Sequence, residues 1–218
     1  MSILFVLLTF LLVMTITYFR GTKDAMVARP QVGPPTPRLE RSLGVAVPQG
    51  YCFHPGHTWM AREGADYARV GLDGFAANLL GTIDRVETTG ENRWVRQGQK
   101  LFTVHSGSLA LEFLSPVEGV VTAINPDVMQ EPGMVTRDPY ERGWVATVKA
   151  PDLDINQNNL VQGGMVGPWM QNNLTRLNGM VAEMAPAMAA DGGVPLAGLL
   201  QRVAPEVRQR LVSEFFLA

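Results

Sequence analysis

Between Tyr51 and about Leu160 the sequence breaks into short β-prone runs set off by turns. They are HTWMAREG at 57–64, DYARVGL at 66–72, TIDRVET at 82–88, KLFTVHS at 100–106, LALEFLSP at 109–116, EGVVTAI at 118–124 and GWVATVKA at 143–150. Short strands at this spacing build sandwiches and barrels, not parallel α/β sheets. Alternation in Asp66-Tyr67-Ala68-Arg69-Val70 and in Lys100-Leu101-Phe102-Thr103-Val104 predicts one buried face and one wet face. Among the strands, DGFAANLL at 73–80 has an acidic start and apolar residues at helical spacing, which predicts a short helix. A chain of 218 residues with 46% hydrophobic content supports one well-cored domain with appendages.

Ahead of this region, residues 2–19, SILFVLLTFLLVMTITYF, carry no charge. At ~1.5 Å per residue the run spans about 27 Å as a helix, close to the ~30 Å bilayer core, with Tyr18 and Phe19 at an interface. No Lys or Arg precedes it and no small-x-small site closes it, so a retained single-pass anchor over residues 1–20 is expected in preference to a cleaved signal peptide. Arg20, Lys23, Arg29, Arg38 and Arg41 follow the run. The positive-inside rule then places the N-terminus outside and the globular part in the cytoplasm, at an inner (cytoplasmic) membrane.

Residues 21–50 contain Pro30, Pro34, Pro35, Pro37 and Pro48 and read as an extended, Pro-rich spacer. The β-region covers 51–162, and residues 163–218 change to helical character. Met170, Leu174, Leu177, Val181 and Met184 share one helix face, and a second helix is predicted from Pro205 with Val207, Leu211, Phe215 and Phe216 apolar. Trp169, Met170, Met180, Met184, Phe215 and Phe216 are the candidate partner contacts, because aromatic and methionine side chains dominate interface cores. Packing of the stripe on the β-region is the competing reading.

Composition excludes several function classes. A formal charge of −2 supplies no basic field for nucleic acid. One cysteine, Cys52, cannot form an internal disulfide and suits a reducing compartment. Cys52, His54 and His57 have a C-x-H-x-x-H spacing that could supply three metal ligands, but no second Cys/His cluster closes the site. His105 stands beside Ser106 and Ser108; adjacent strand residues face opposite ways, which argues against a Ser106–His105 catalytic pair. No nucleotide-binding fingerprint and no Asp-x-Asp-x-Asp-Gly calcium loop occurs.

HTW at 57–59, ARVGLDGFAANLLGTIDRVE at 68–87, VRQGQKLFTVHS at 95–106, LSPVEGVVTAIN at 114–125 and RDPYERGW at 137–144 resemble, in order and spacing, the glycine cleavage system H protein family. The resemblance covers about half the chain. It implies a mainly β barrel-sandwich hybrid of the lipoyl and biotinyl carrier type, here with an N-terminal transmembrane helix and C-terminal helices. It also implies a hairpin that presents a lysine for lipoylation. Counted back from Pro116, that position falls on Ser108, with no gap needed. The chain has three lysines, Lys23, Lys100 and Lys149, and none falls at the hairpin tip. Lipoate is joined by an amide to a primary amine on a long stem, which a serine hydroxyl does not offer.

The expectation is a non-catalytic accessory subunit without a cofactor, held in a lipid bilayer through residues 2–19. Its partner would be an integral membrane protein complex of respiratory or photosynthetic type. The alternatives are a pseudo-carrier that docks on a lipoate-using enzyme, and a metal-binding protein using Cys52, His54 and His57.

Overall fold

The computed structural model describes residues 10–12, 14–15, 40–42, 45–185 and 197–216. The chain forms two compact units, residues 1–36 and 37–218. In the first, residues 10–12 and 14–15 are helical, Phe10, Leu11, Leu12 and Met14 are exposed, and Thr15 Oγ1 donates to the Leu11 and Leu12 carbonyls. The transmembrane helix expected over residues 2–19 lies largely outside the described residues. No helix among the described residues is long and apolar enough to cross a membrane.

The second unit is built on antiparallel strands. A six-stranded sheet joins β3 (Tyr51–Phe53), β4 (Thr58–Glu63), β5 (Tyr67–Leu72), β11 (Trp144–Lys149), β10 (Gly119–Ile124) and β7 (Trp94–Val95), in that spatial order. A three-stranded sheet joins β6 (Arg85–Thr88), β8 (Lys100–Ser106) and β9 (Leu109–Leu114). All seven runs read as strands from the sequence are therefore strands. Strand β1 (Glu40–Ser42) pairs with β2 (Val45–Val47), so the end of the stretch read as extended spacer forms a hairpin.

Alternation, interrupted by register shifts in β8 and β11, supplies the core. Ala68 and Val70 of β5, Leu101 and Val104 of β8, Leu111 and Phe113 of β9, Val121 of β10 and Val145 and Val148 of β11 are all buried in one cluster. Phe102, Val104 and Ser106 keep a period of two on the buried side, and Leu101, also buried, breaks it. The cause is a register shift between Lys100 and Phe102 in the β8–β9 ladder, which turns two successive side chains inward. At Gly119 the strands approach so closely that a Cβ would run into the Lys149 carbonyl.

Helix α1 (Gly74–Leu80) closes the end of the sandwich. Asp73 is its N-cap and accepts from the Ala76 amide at 2.8 Å. Asn125 caps α2 (Pro126–Gln130), and α3 (Met134–Arg137) follows. Short helix α4 (Leu153–Asn158) and a 3₁₀ turn (Gly163–Met165) lead into α5 (Val166–Met184). Val166, Met170, Leu174, Leu177 and Val181 form the buried stripe of α5, in agreement with the helical spacing read from the sequence. The C-terminal segment contains α6 (Leu199–Arg202) and α7 (Pro205–Phe215), with Pro205 in the first turn of α7, where its missing N–H is harmless.

Leu199, Leu200, Leu211, Phe215 and Phe216 are buried with the β-sandwich core. The apolar face of the tail is thus satisfied within the chain. Its assignment to partner contact is corrected for Met170, Phe215 and Phe216, which are 0, 3 and 1% exposed. Half-buried Trp169 packs on His57 and Phe53, with ring centroids 5.2 and 5.9 Å away, so it too serves the fold. Met180 and Met184 keep part of their surface in solvent.

Candidate functional site

Strands β8 and β9 form the hairpin that the sequence singled out. Ser106 pairs with Leu109, leaving Gly107 and Ser108 as a two-residue loop. Gly107 has φ +58°, and Ser108 is not among the positive-φ residues. This is the Gly-first pattern of a type II′ turn, the kind whose twist matches a β-hairpin.

Within three residues the environment changes completely. Ser106 is 1% exposed, whereas Gly107 and Ser108 are exposed at the tip. The Ser106 hydroxyl donates to the Leu80 carbonyl at 3.2 Å. Gln201 Nε2, from α6, lies 2.6 Å from Ser106 Oγ, 3.1 Å from the Leu80 carbonyl and 3.3 Å from the Thr82 carbonyl. On the other side, Asp84 Oδ2 accepts from the Gly107 amide at 2.7 Å, and the Asp84 amide donates to the His105 carbonyl at 2.9 Å. The loop is therefore pinned at its foot and open at its tip.

No amine reaches that tip from the sheets. Lys100 lies at the opposite end of β8, about 20 Å along the strand at ~3.3 Å per residue. Its Nζ is 2.8 Å from Glu112. Lys149 stands over the Tyr67 ring in the other sheet, 6.0 Å from the centroid. Lys23 is outside the described residues. His105 points to the outer face, with Nε2 3.4 Å from both Arg85 and Glu87, while Ser106 points into the core. That geometry separates the only histidine near the hairpin from the buried serine.

A model of the glycine cleavage H-protein family matches residues 51–172, from β3 into α5. This chain belongs to that family. It is 33% identical over 108 residues to the glycine cleavage system H protein of Magnetococcus marinus, covering 50% of this chain and 76% of that protein. It is 38% identical over 102 residues to that of Legionella pneumophila, covering 47% and 81%. A crystal structure of a glycine cleavage system H protein from Mycobacterium marinum overlays on 48% of this chain and 86% of that one, with TM-score 0.45 and 24% identity.

In this H-protein-family chain the region between β3 and α1 holds a second buried constellation. His57 Nδ1 and Asp73 Oδ2 are 2.7 Å apart, with side chains 1% and 0% exposed. A carboxylate oxygen accepts, so the imidazole proton sits on Nδ1. His57 stacks on Phe75 at 4.4 Å and Trp169 at 5.2 Å, with Phe216 and Phe215 at 5.9 and 6.4 Å. Its φ of +64° closes the turn from His54, whose carbonyl accepts the His57 amide.

This arrangement removes the metal-site alternative. Among the described residues no group of three His, Cys, Asp or Glu side chains gathers to hold an ion. Cys52, His54 and His57 go separate ways: Cys52 faces Gln162, His54 Nδ1 accepts from the Gly56 amide, and His57 is held by Asp73. Burial pushes the Cys52 thiol up and the His54 imidazole down from their ordinary values. Both shifts favour the neutral form of a buried group.

Next to the pair, the Gly74 amide donates to the Tyr140 hydroxyl oxygen, and Tyr51 donates to the Tyr140 carbonyl. Burial holds both phenols above their ordinary value, Tyr51 at about 12. Sequence reasoning located the hairpin and the Asp73 cap but missed Gln201 and the burial of Asp73. Gln201 is about a hundred residues from its partners, in a short helix with no periodic signal.

Proposed function

We propose that this chain is a non-catalytic, non-lipoylated member of the H-protein family that serves as an accessory subunit of a larger integral membrane complex, of respiratory or photosynthetic type. The observation that carries the reading is Ser108. It occupies the exposed tip of a well-formed hairpin where the resemblance places the lipoyl lysine, and both lysines of the β-region are engaged elsewhere. Without an amine at the tip, a swinging-arm cofactor has no attachment point, and what remains of the family's domain is a scaffold.

The proposed tether is the uncharged run at residues 2–19, followed by a basic and Pro-rich stretch. In this reading the N-terminus lies outside and the β-domain in the cytoplasm, against the host complex. The partly exposed Met180 and Met184 remain as contact candidates on the tail.

The deciding experiment is mild-detergent purification of the tagged protein from its own membranes, with mass spectrometry of the intact chain and of whatever co-migrates. The expected result is an unmodified mass that retains residues 1–20, in a stoichiometric membrane complex. A lipoyl-sized mass increment, or recovery of the chain alone in the soluble fraction, would sink the proposal.

A second reading is favoured by one feature, the exposure of the Gly107–Ser108 tip. A pseudo-carrier could present this tip to a lipoate-using enzyme. Capture of such an enzyme by the protein in the absence of membranes would support that reading over the first.

A further inference from the structure

We propose that the C-terminal segment, residues 197–216, is an intramolecular lock on the hairpin, occupying the flank that a carrier's partner would need and fixing the hairpin to the domain.

The matched family region ends at residue 172, so α6 and α7 are additions to it. They bind where the hairpin begins. The Gly198 amide donates to the Asn78 carbonyl at 2.8 Å, and a Cβ placed on Gly81 would lie 2.6 Å from Gly198 Cα. Such backbone-on-backbone approach lets α6 sit directly on the end of α1. From that seat Gln201 reaches Ser106, Leu80 and Thr82 together. One side chain thereby ties the last residue of β8 to the loop that leads into β6.

The rest of the tail holds α6 in place. Arg208 Nε donates to the Leu200 carbonyl at 2.7 Å, which joins α7 to α6. Phe216 meets Phe113 of β9 edge-on at 5.7 Å, so the tail grips the second hairpin strand as well as the first. Arg176 of α5 pairs with Glu214 and covers the Phe215 ring at 5.7 Å. With Asp84 holding Gly107 from the other side, the β8 end of the turn is fixed from two directions. One flank of the hairpin foot is therefore filled by the chain itself. The lock is independent of membrane attachment and adds a second barrier to carrier chemistry beside the missing lysine.

The test uses the full chain. Ser108→Lys restores an amine at the tip, and Ser108→Lys with Gln201→Leu also removes the donor that ties α6 to the hairpin while keeping similar bulk. Each is incubated with a lipoate–protein ligase, lipoate and ATP, so that the lysine amine attacks the lipoyl-adenylate carbonyl, an amide forms and AMP leaves. Loss of a hydrogen-bonded tie of this size should speed modification of the double variant about tenfold relative to Ser108→Lys. Equal rates would overturn the lock.

A second readout needs no ligase. Gln201→Leu alone should raise amide exchange at residues 106–109 about tenfold while β4 and β5 keep their protection. Unchanged exchange at the hairpin overturns the proposal even where neither lysine variant is modified. A general rise throughout the sheets would show that Gln201 stabilises the whole domain and not the hairpin, and would equally count against it.

Discussion

His57 Nδ1 lies 2.7 Å from Asp73 Oδ2, and the same carboxylate, through Oδ1, caps α1 at the Ala76 amide. One buried side chain thus joins the β3–β4 turn to the start of the helix that closes the sandwich. Asp73→Ala strips the cap and leaves a buried imidazole without its acceptor, and should lower unfolding free energy by roughly 3 kcal/mol. Asp73→Asn retains an oxygen for the cap and should lose less. Urea unfolding of the two variants beside the parent checks the order, and a loss below about 1 kcal/mol for the alanine variant would show that the pair does not anchor the helix.

The tail belongs to the core of this chain, and that placement is measurable. Phe216 is 1% exposed and packs on Phe113 and His57. Truncation of a buried aromatic ring should destabilise by about 3–5 kcal/mol. Partly buried Met184, at the end of α5, should tolerate alanine within about 1 kcal/mol. Near-neutral Phe216→Ala in thermal unfolding would mean that the tail docks elsewhere.

Two glycines separate close packing from backbone conformation. Gly119→Ala drives a methyl into the Lys149 carbonyl, so β10 and β11 must move apart. A loss of about 3 kcal/mol is expected. Gly107→Ala meets open space but must hold φ +58°, so about 1 kcal/mol is expected. Chemical denaturation of both variants would expose the error if Gly107→Ala proved the more damaging.

Burial holds Tyr51 protonated up to about 12, above its ordinary value of 10.0. In the unfolded chain the phenol loses its proton first, so the folded state binds more protons between those values. The stabilisation is therefore fully present below pH 10 and is lost as pH rises toward 12, at up to about 1.4 kcal/mol per pH unit. Tyr51→Phe should flatten the alkaline limb of the stability curve, and tyrosinate absorbance should show one phenol fewer near pH 12. An alkaline limb of unchanged slope would disconnect Tyr51 from this loss.

Much of the β-domain was legible because its information is local. Strand period, the Asp73 cap and the α5 stripe each depend on neighbours within a few residues, and the observed elements follow them. Legibility stopped at pairwise geometry. Leu101 and Phe102 both face inward because the partner strand shifts register, which no alternation rule contains. Phe215 and Phe216 read as partner anchors from the sequence and are core residues in the fold, since apolar character states that a surface must be covered and not by what. The short β1–β2 hairpin escaped notice in a stretch dominated by prolines.

From the sequence alone followed a mainly β family domain, a hairpin in which the family resemblance sets Ser108 against the lysine position, and an apolar run at the N-terminus. These are properties of residue type and spacing, and covalent chemistry at position 108 does not depend on how the chain packs. Only the tertiary structure decided that Cys52, His54 and His57 part company, that Asp73 is sealed against His57, and that Gln201 closes on the hairpin foot. Each of those outcomes depends on distances between segments far apart in the chain, where burial and hydrogen-bond geometry select among partners that the sequence leaves equivalent.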